Sequence, residues 1–267
     1  MNIISGIDEK NRKLLDLLNR SGRNMFSVKE AARIIDLSVK DTRLYLAYLA
    51  RRGWLARVKP GLYICVPLGT LSPQEYKENP WIVANRIFEP CYIGGWSAAE
   101  HWGLTDQIFK SIFVLTSRIF RKKEVNIQGT YFVLKLVRKI NTRHTKSVWL
   151  ENTKVQVSDP TQTIVDILND PSAGGGIRHV AEIVESYFNS EHLNILDLFA
   201  YIKENENRTV YKRLGFILET LNINASDTIE SCKKKISLGY SVLDPKVKSK
   251  GMFNRKWNLR VNIQIGK

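Results

Sequence analysis

Residues 27–64 read SVKEAARIIDLSVKDTRLYLAYLARRGWLARVKPGLYI, and this stretch constrains the fold more than any other. Ser27 with Glu30 three residues on is a capping box that starts a helix carrying Ala31, Ala32, Ile34 and Ile35. Asp36-Leu37 makes a tight turn, and Ser38, with Asp41 in the capping-box position, caps the next helix. That helix runs to about Arg52, where Gly53 stops it. Two strands follow, Trp54–Val58 and Leu62–Val66, joined by Lys59-Pro60-Gly61, a sequence suited to a tight turn. An earlier helix over Asp8–Arg20 carries Leu14, Leu15, Leu17 and Leu18, and the segment SGRN ends it. Helix, helix, turn, helix, hairpin is the order of a winged helix-turn-helix.

In that fold the third helix enters the major groove of DNA and the hairpin wing lies over the backbone. Thr42, Tyr45, Leu46 and Leu49 fall on its inward stripe. Lys40, Asp41, Arg43, Leu44 and Ala47 fall outward, with Tyr48 and Arg51 on the flank. The expected DNA contacts are Ser38, Lys40, Asp41, Arg43, Tyr48 and Arg51 from the helix, with Lys40 and Arg43 nearest base edges, and Arg57 and Lys59 on phosphates from the wing. A winged helix can also serve protein contacts alone, since fold does not fix function. Charge favours DNA: residues 1–70 hold 13 Lys+Arg against 6 Asp+Glu.

The whole chain has 41 Lys+Arg against 26 Asp+Glu, a net charge of +15, which calls for a polyanionic partner. With 267 residues, 43% of them apolar, it has enough material for this small domain and a larger one. No apolar run approaches the roughly 20 residues of a spanning helix, and MNIISGIDEKNRK lacks the apolar centre of a signal peptide. Cys65, Cys91 and Cys232 are odd in number and far apart, which fits reduced thiols in a cytoplasm. His101, His144, His179 and His192 show no zinc-ligand spacing. No cofactor or metal is expected.

Beyond residue 70 the reading is of a linker over 71–80, then a larger mixed α/β part over 81–267, strand-rich to 158, helical over 159–240 and basic from 241. A helix is expected at Trp81–Phe88, strands near Cys91–Ile93 and over 111–117, and hairpins turning at Gln128-Gly129 and Glu151-Asn152. Helices are expected at Thr161–Leu168, Ile177–Phe188, Asn194–Glu204, Thr209–Leu221 and Ala225–Ile236, with a final strand in WNLRVNIQI. The fold class is α+β.

Several pieces in order carry a resemblance: GLYICVPLG, PWIVANRIF, CYIGGWSAAEHWGLTDQ, VQVSDPTQTIVDIL, GGGIRHVAEIV, YKRLGFILE and LDP followed by WNLRVN. Together they resemble the AbiEi family, antitoxins of type IV toxin–antitoxin and abortive-infection systems. The resemblance implies an N-terminal winged helix that binds inverted repeats in the promoter of its own operon and represses it. It implies a C-terminal domain required for antitoxicity. The cognate toxin would be a nucleotidyltransferase-like AbiEii protein, countered without a stable complex. It also implies a monomer that binds DNA cooperatively, or a weak dimer.

Other constellations favour structure over chemistry. Gly94-Gly95 before Ser97 superficially suggests a nucleotidyltransferase turn, but no Asp-x-Asp or Asp-x-Glu follows to hold magnesium. Ser97 is instead expected to cap a helix, with Glu100 closing the box and Trp96 and Trp102 in the core. Ser97 and His101 share a helix face without the strand–elbow context of a nucleophile. The glycines of SAGGGIRHV lack the lysine of a phosphate loop. Glu151 and Lys154 have the wrong spacing for a metal-dependent nuclease core, and Asp159 is assigned to capping. Such a nuclease, and a plain regulator with a ligand-sensing C-terminal domain, stand as alternative readings; the chain is expected not to be an enzyme. The basic run Lys233–Lys235 and the tail cations Lys246, Lys248, Lys250, Arg255, Lys256 and Arg260 are solvated charge or a second contact to DNA or RNA.

Overall fold

The computed structural model describes residues 8–20, 25–67, 69–248 and 250–266. The expected stop at SGRN lies outside these residues. The N-terminal part is built from α1 (Glu9–Arg20), β1 (Met25–Ser27), α2 (Val28–Ile35), α3 (Val39–Arg51), β2 (Leu55–Lys59) and β3 (Leu62–Cys65). Ser27 caps α2 as expected: its hydroxyl accepts from the Glu30 amide, and the Glu30 carboxylate accepts from the Ser27 amide at 2.8 Å. Asp36 ends α2 in the left-handed region, φ 52°, and Ser38 opens α3 by accepting from the Asp41 amide at 3.1 Å. A three-stranded sheet in the order β1-β3-β2 closes the unit. Leu15, Leu18, Phe26, Val28, Ala31, Ile35, Leu46, Leu49, Leu55 and Tyr63 form its core.

The hairpin holds one irregularity that matters below. Arg57 pairs with Tyr63, but Lys59 pairs with Leu62, so the register slips between them. Tyr63 and Leu62 are neighbours in one strand and point to opposite faces. The bulge therefore puts Arg57 and Lys59 on opposite faces too.

A short 3-10 turn at Pro73–Glu75 leads to α4 (Pro80–Phe88), β4 (Cys91–Ile93), α5 (Gly95–His101), β5 (Ser111–Thr116), β6 (Glu124–Ile127), β7 (Thr130–Leu136), β8 (Thr145–Leu150) and β9 (Thr153–Ser158). The strands make one mixed sheet in the order β6-β7-β5-β4-β9-β8. Both hairpin turns fall where the sequence places them, with Gln128, Gly129 and Glu151 at positive φ. Then come α6 (Pro160–Asn169), α7 (Ile177–Phe188), α8 (Ile195–Asn205), α9 (Thr209–Thr220) and α10 (Ser226–Lys235). The tail forms a small sheet, β10 (Ser241–Val242), β12 (Leu259–Val261) and β11 (Met252–Asn254).

Side-chain alternation divides the large sheet into two buried faces. Tyr92, Phe113 and Leu115 pack with α5 to α9 in one cluster. Cys91, Ile93 and Val114 face the other way, into a cluster with Val83, Ala84, Ile87 and Phe88 of α4. Met25, Val58, Leu62 and Ile64 of the N-terminal sheet join that second cluster. The linker reading thus needs refinement: chain 71–80 is polar, but the parts it joins share a core. Gln74 donates to the Arg51 carbonyl at 3.0 Å, and Arg86 of α4 donates to Glu30 of α2 at 2.6 Å. Burial pushes the Glu30 carboxyl up. The Ser27 amide and hydroxyl and the Arg86 guanidinium outweigh it and hold the group at about 2.

The tail is built into the body. Trp257 is wholly buried, its indole N–H donating to Glu219 at 2.7 Å. Arg213, buried on α9, donates to the carbonyls of Leu168, Asn169, Val242 and Leu243 at 2.7–3.1 Å, joining the end of α6 to β10.

Candidate nucleic-acid interface

The outward face of α3 is exposed as its spacing predicts. Thr42, Leu46 and Leu49 are fully buried, Tyr45 is half-buried, and Lys40, Asp41, Arg43, Leu44, Tyr48 and Arg51 are exposed. Leu44 is 65% exposed at the centre of this face. The Arg52 guanidinium lies 5.6 Å from the Tyr48 ring centroid, which holds that ring beside the cations. Tyr45 is oriented by its hydroxyl, which donates to Asn11 of α1. Burial first, then the Asp8 and Tyr48 groups, push that phenol up to about 12.

Ser38 and Asp41 have a different position from the one expected of direct contacts. The Ser38 hydroxyl donates to the Asp41 carboxylate at 2.6 Å while accepting from its amide. The two side chains close the first turn of α3 and so aim Lys40 and Arg43.

Arg57 and Lys59 separate at the bulge. Arg57 is exposed on the Tyr63 side of the sheet, the side of the helical core and α3. Lys59 shares the Leu62 face, toward α4. Burial, and then the Arg118 and Arg86 cations, push its ammonium below the usual lysine value. The wing expectation therefore changes for Lys59: it is exposed but crowded against cations of the larger domain. Sequence reasoning missed Arg86 and Arg118 as its neighbours, because nothing local in the chain marks the bulge that brings them together.

The basic tail also divides. Lys246, Lys248, Lys250 and Arg255 are exposed. Lys256 is not free for a ligand in the way expected, since its ammonium pairs with Glu219. Lys233 donates to the Lys256 carbonyl, Lys234 pairs with Glu230 at 2.8 Å, and Lys235 lies 4.4 Å from the Phe199 ring centroid. Most of the 233–235 run thus complements the C-terminus of α10 and its own surroundings.

The remaining constellations resolve into packing, with one correction. Gly94, not Ser97, is the N-cap of α5. Ser97 lies within that helix and its hydroxyl accepts from the Phe113 amide at 2.9 Å, so the Ser97–Glu100 capping box does not form. The glycine pair is explained by close approach: a Cβ at Gly94 would sit 2.3 Å from Leu115, and one at Gly95 would sit 2.4 Å from the Ala173 carbonyl. His101 packs edge-on to Trp81 and Trp102, and burial lowers its pKa. The N-terminus of α7 behind the Gly174–Gly176 run is filled by an internal anion, Asp244, which accepts from the Ile177 amide at 3.0 Å. Asp159 caps α6, accepting from the Gln162 amide at 2.7 Å. Among the described residues no group of three or more His, Cys, Asp or Glu could hold a metal ion. Among the same residues no helix is long and apolar enough to cross a membrane.

Residues 12–65 match the family model described as "Transcriptional regulator, AbiEi antitoxin". No curated protein matches the chain. Among solved structures, the RV2827C protein from Mycobacterium tuberculosis is similar, with a TM-score of 0.64, 13% identity, and coverage of 95% of this chain and 92% of that one. At that identity the likeness is one of fold, and it extends over both parts of the molecule. The matched residues, which build the helix-turn-helix and most of the wing, are similar to those of the AbiEi antitoxin transcriptional regulators.

Proposed function

We propose that this chain is a DNA-binding autorepressor and the antitoxin of a type IV toxin–antitoxin pair, countering a nucleotidyltransferase-like toxin without a stable complex. The observation that carries the DNA part is the uncovered face of α3, where Lys40, Arg43 and Arg51 surround exposed Leu44 and Tyr48. Arg57 extends that face along the wing. A helix of this width fits the major groove, where arginine or lysine can meet guanine and a leucine can meet a thymine methyl. Lys246, Lys248, Lys250 and Arg255 remain available for a second nucleic-acid contact, DNA or RNA. The protein works in the cytoplasm, where its operator lies, and as a monomer binding inverted repeats cooperatively or as a weak dimer.

The test compares the promoter of its own operon with random duplex of equal length at moderate salt. A repressor prefers the promoter by roughly a thousandfold or more; equal binding defeats the specific role. Expressing the chain from a foreign promoter beside the adjacent toxin gene tests the antitoxin role. Rescue of growth supports it, and absence of rescue leaves a plain regulator.

A further inference from the structure

The large sheet has more face than its helices cover. Helix α5 packs on β5 and α6 on β9, while β7, which pairs with β5, presents Lys135, half-exposed, and Tyr131, 49% exposed, on the Phe113 and Leu115 side. The uncovered strip, closed at its far side by the end of α8, is a groove of about 720 Å³. That volume lies in the range of small-ligand sites, roughly 300–1,000 Å³.

The floor and the rim of the groove have different chemistry. At the floor sits the Asp166 carboxyl, buried, with one oxygen accepting from the Tyr92 hydroxyl at 3.0 Å and the other from the Gln162 amide at 2.7 Å. A carboxylate has about four acceptor positions, so one stays open on each oxygen. Among the described residues its hydrogen-bond partners include no cation, and Lys135 of the groove pairs with Asp170 instead. Burial pushes the Asp166 carboxyl up to about 7. Such a group calls for N–H donors from whatever fills the space. Phe113 and Leu115 make the apolar wall beside it, and His144 stacked on Tyr201, centroids 3.6 Å apart, stands opposite. At the rim the exposed Arg138 and Lys139 supply positive charge on the β7 side, and Glu204 and Glu206 supply negative charge on the α8 side, so an anionic group is directed to the β7 side.

We infer that this groove binds a purine nucleotide, its base edge on Asp166, Gln162 and Tyr92 and its phosphates on Arg138 and Lys139. Guanine offers two adjacent N–H donors on one planar edge and adenine offers its amine, either ring has a face for the apolar wall, and the nucleotide carries an anionic end for the rim cations. An amino acid carries the same two charges but leaves most of the groove empty. A polyamine meets the carboxyl but opposes the cations. This site is separate from the α3 face and does not depend on the regulatory reading.

The test is titration of the full chain with fluorescent GTP and ATP analogues, read by anisotropy. Saturable binding is expected, with UTP and tripolyphosphate at least tenfold weaker as competitors. Arg138→Ala with Lys139→Ala, both on the surface, should weaken binding at least tenfold, and Asp166→Asn likewise where circular dichroism shows it folded. Lys40→Ala with Arg43→Ala should bind as the parent does. No saturable binding at millimolar nucleotide overturns the inference. So does equal competition by tripolyphosphate or UTP, or undiminished binding by the rim variant. Loss in the α3 variant would assign the signal to the DNA face and overturn it equally.

Discussion

The bulge in the wing leads to a quantitative expectation about salt. Four exposed cations lie on the recognition side: Lys40, Arg43 and Arg51 on α3, and Arg57 on β2. A cation seated in the groove displaces about one counterion whether it meets a base edge or a phosphate, so for four cations log K falls against log salt with a slope of about −3.6, or about 150-fold between 50 and 200 mM. Arg57→Ala removes one contact, so the slope becomes about −2.7 and the same change in salt weakens binding only about 40-fold. Lys59→Ala removes a charge of equal size two residues away, on the Leu62 face beside Arg86 and Arg118. Its slope should stay near −3.6. Fluorescence anisotropy with a labelled promoter duplex at four or five salt concentrations measures both. An unchanged slope for Arg57→Ala with a loss of about 0.9 for Lys59→Ala would refute the assignment of faces. Arg57→Ala should weaken promoter and random duplex alike, because phosphate contacts carry no sequence information.

Three more expectations concern stability. Gly215→Ala on α9 would ordinarily gain about 1 kcal/mol of helix propensity, but a Cβ there would sit 2.1 Å from the buried Trp257 ring. Overpacking should win, giving a net loss of roughly 1–3 kcal/mol by urea denaturation. Thr42 is fully buried and its hydroxyl has no partner among the described residues; Thr42→Val should therefore stabilise by about 1 kcal/mol, and a lowered midpoint would count against this. Asp166 has a folded pKa of about 7 against a reference of 3.8. In that window the folded state holds the extra proton, so the group's contribution is complete at low pH and falls by about 1.4 kcal/mol per unit as pH rises. Asp166→Asn should flatten the corresponding slope in denaturation curves taken from pH 4 to 8.

The sequence made much of this architecture legible where local chemistry is decisive. The capping box at Ser27 and the cap at Ser38 fix two helix starts without help from tertiary structure. The turn at Gln128-Gly129 is marked by a glycine that adopts φ 85°, whereas at the second turn Glu151, not Asn152, takes the positive φ. The inward stripe of α3 follows from helical period, and exposure of Lys40 and Arg43 follows from it. What was hidden depends on contacts distant in the chain. Simple alternation puts Arg57 and Lys59 on one face, and only the slipped pairing with Leu62 separates them. Ser97 looks like a cap because Glu100 follows by three, yet Gly94 opens the helix and Ser97 bonds β5 sixteen residues on. The run of lysines at 233–235 reads as a ligand surface until Glu230, Trp257 and Phe199 are seen beside it. Asp166 gives no signal at all within DPTQTIVDIL, since its partner Tyr92 lies on a strand seventy-four residues earlier in the chain.

The three-stranded sheet β1-β3-β2 is apolar on both sides: Phe26, Leu55 and Tyr63 meet their own helices, and Met25, Val58, Leu62 and Ile64 meet the cluster of α4. It is a party wall, and the N-terminal part has no swivel. On the proposed inverted repeats, two copies set on facing half-sites would be unable to rotate their N-terminal parts to suit the spacing while their bodies stay put. The gap tolerated between half-sites is then dictated by the girth of the entire 30.7 kDa molecule, and where two such bodies crowd, it is the double helix that must yield.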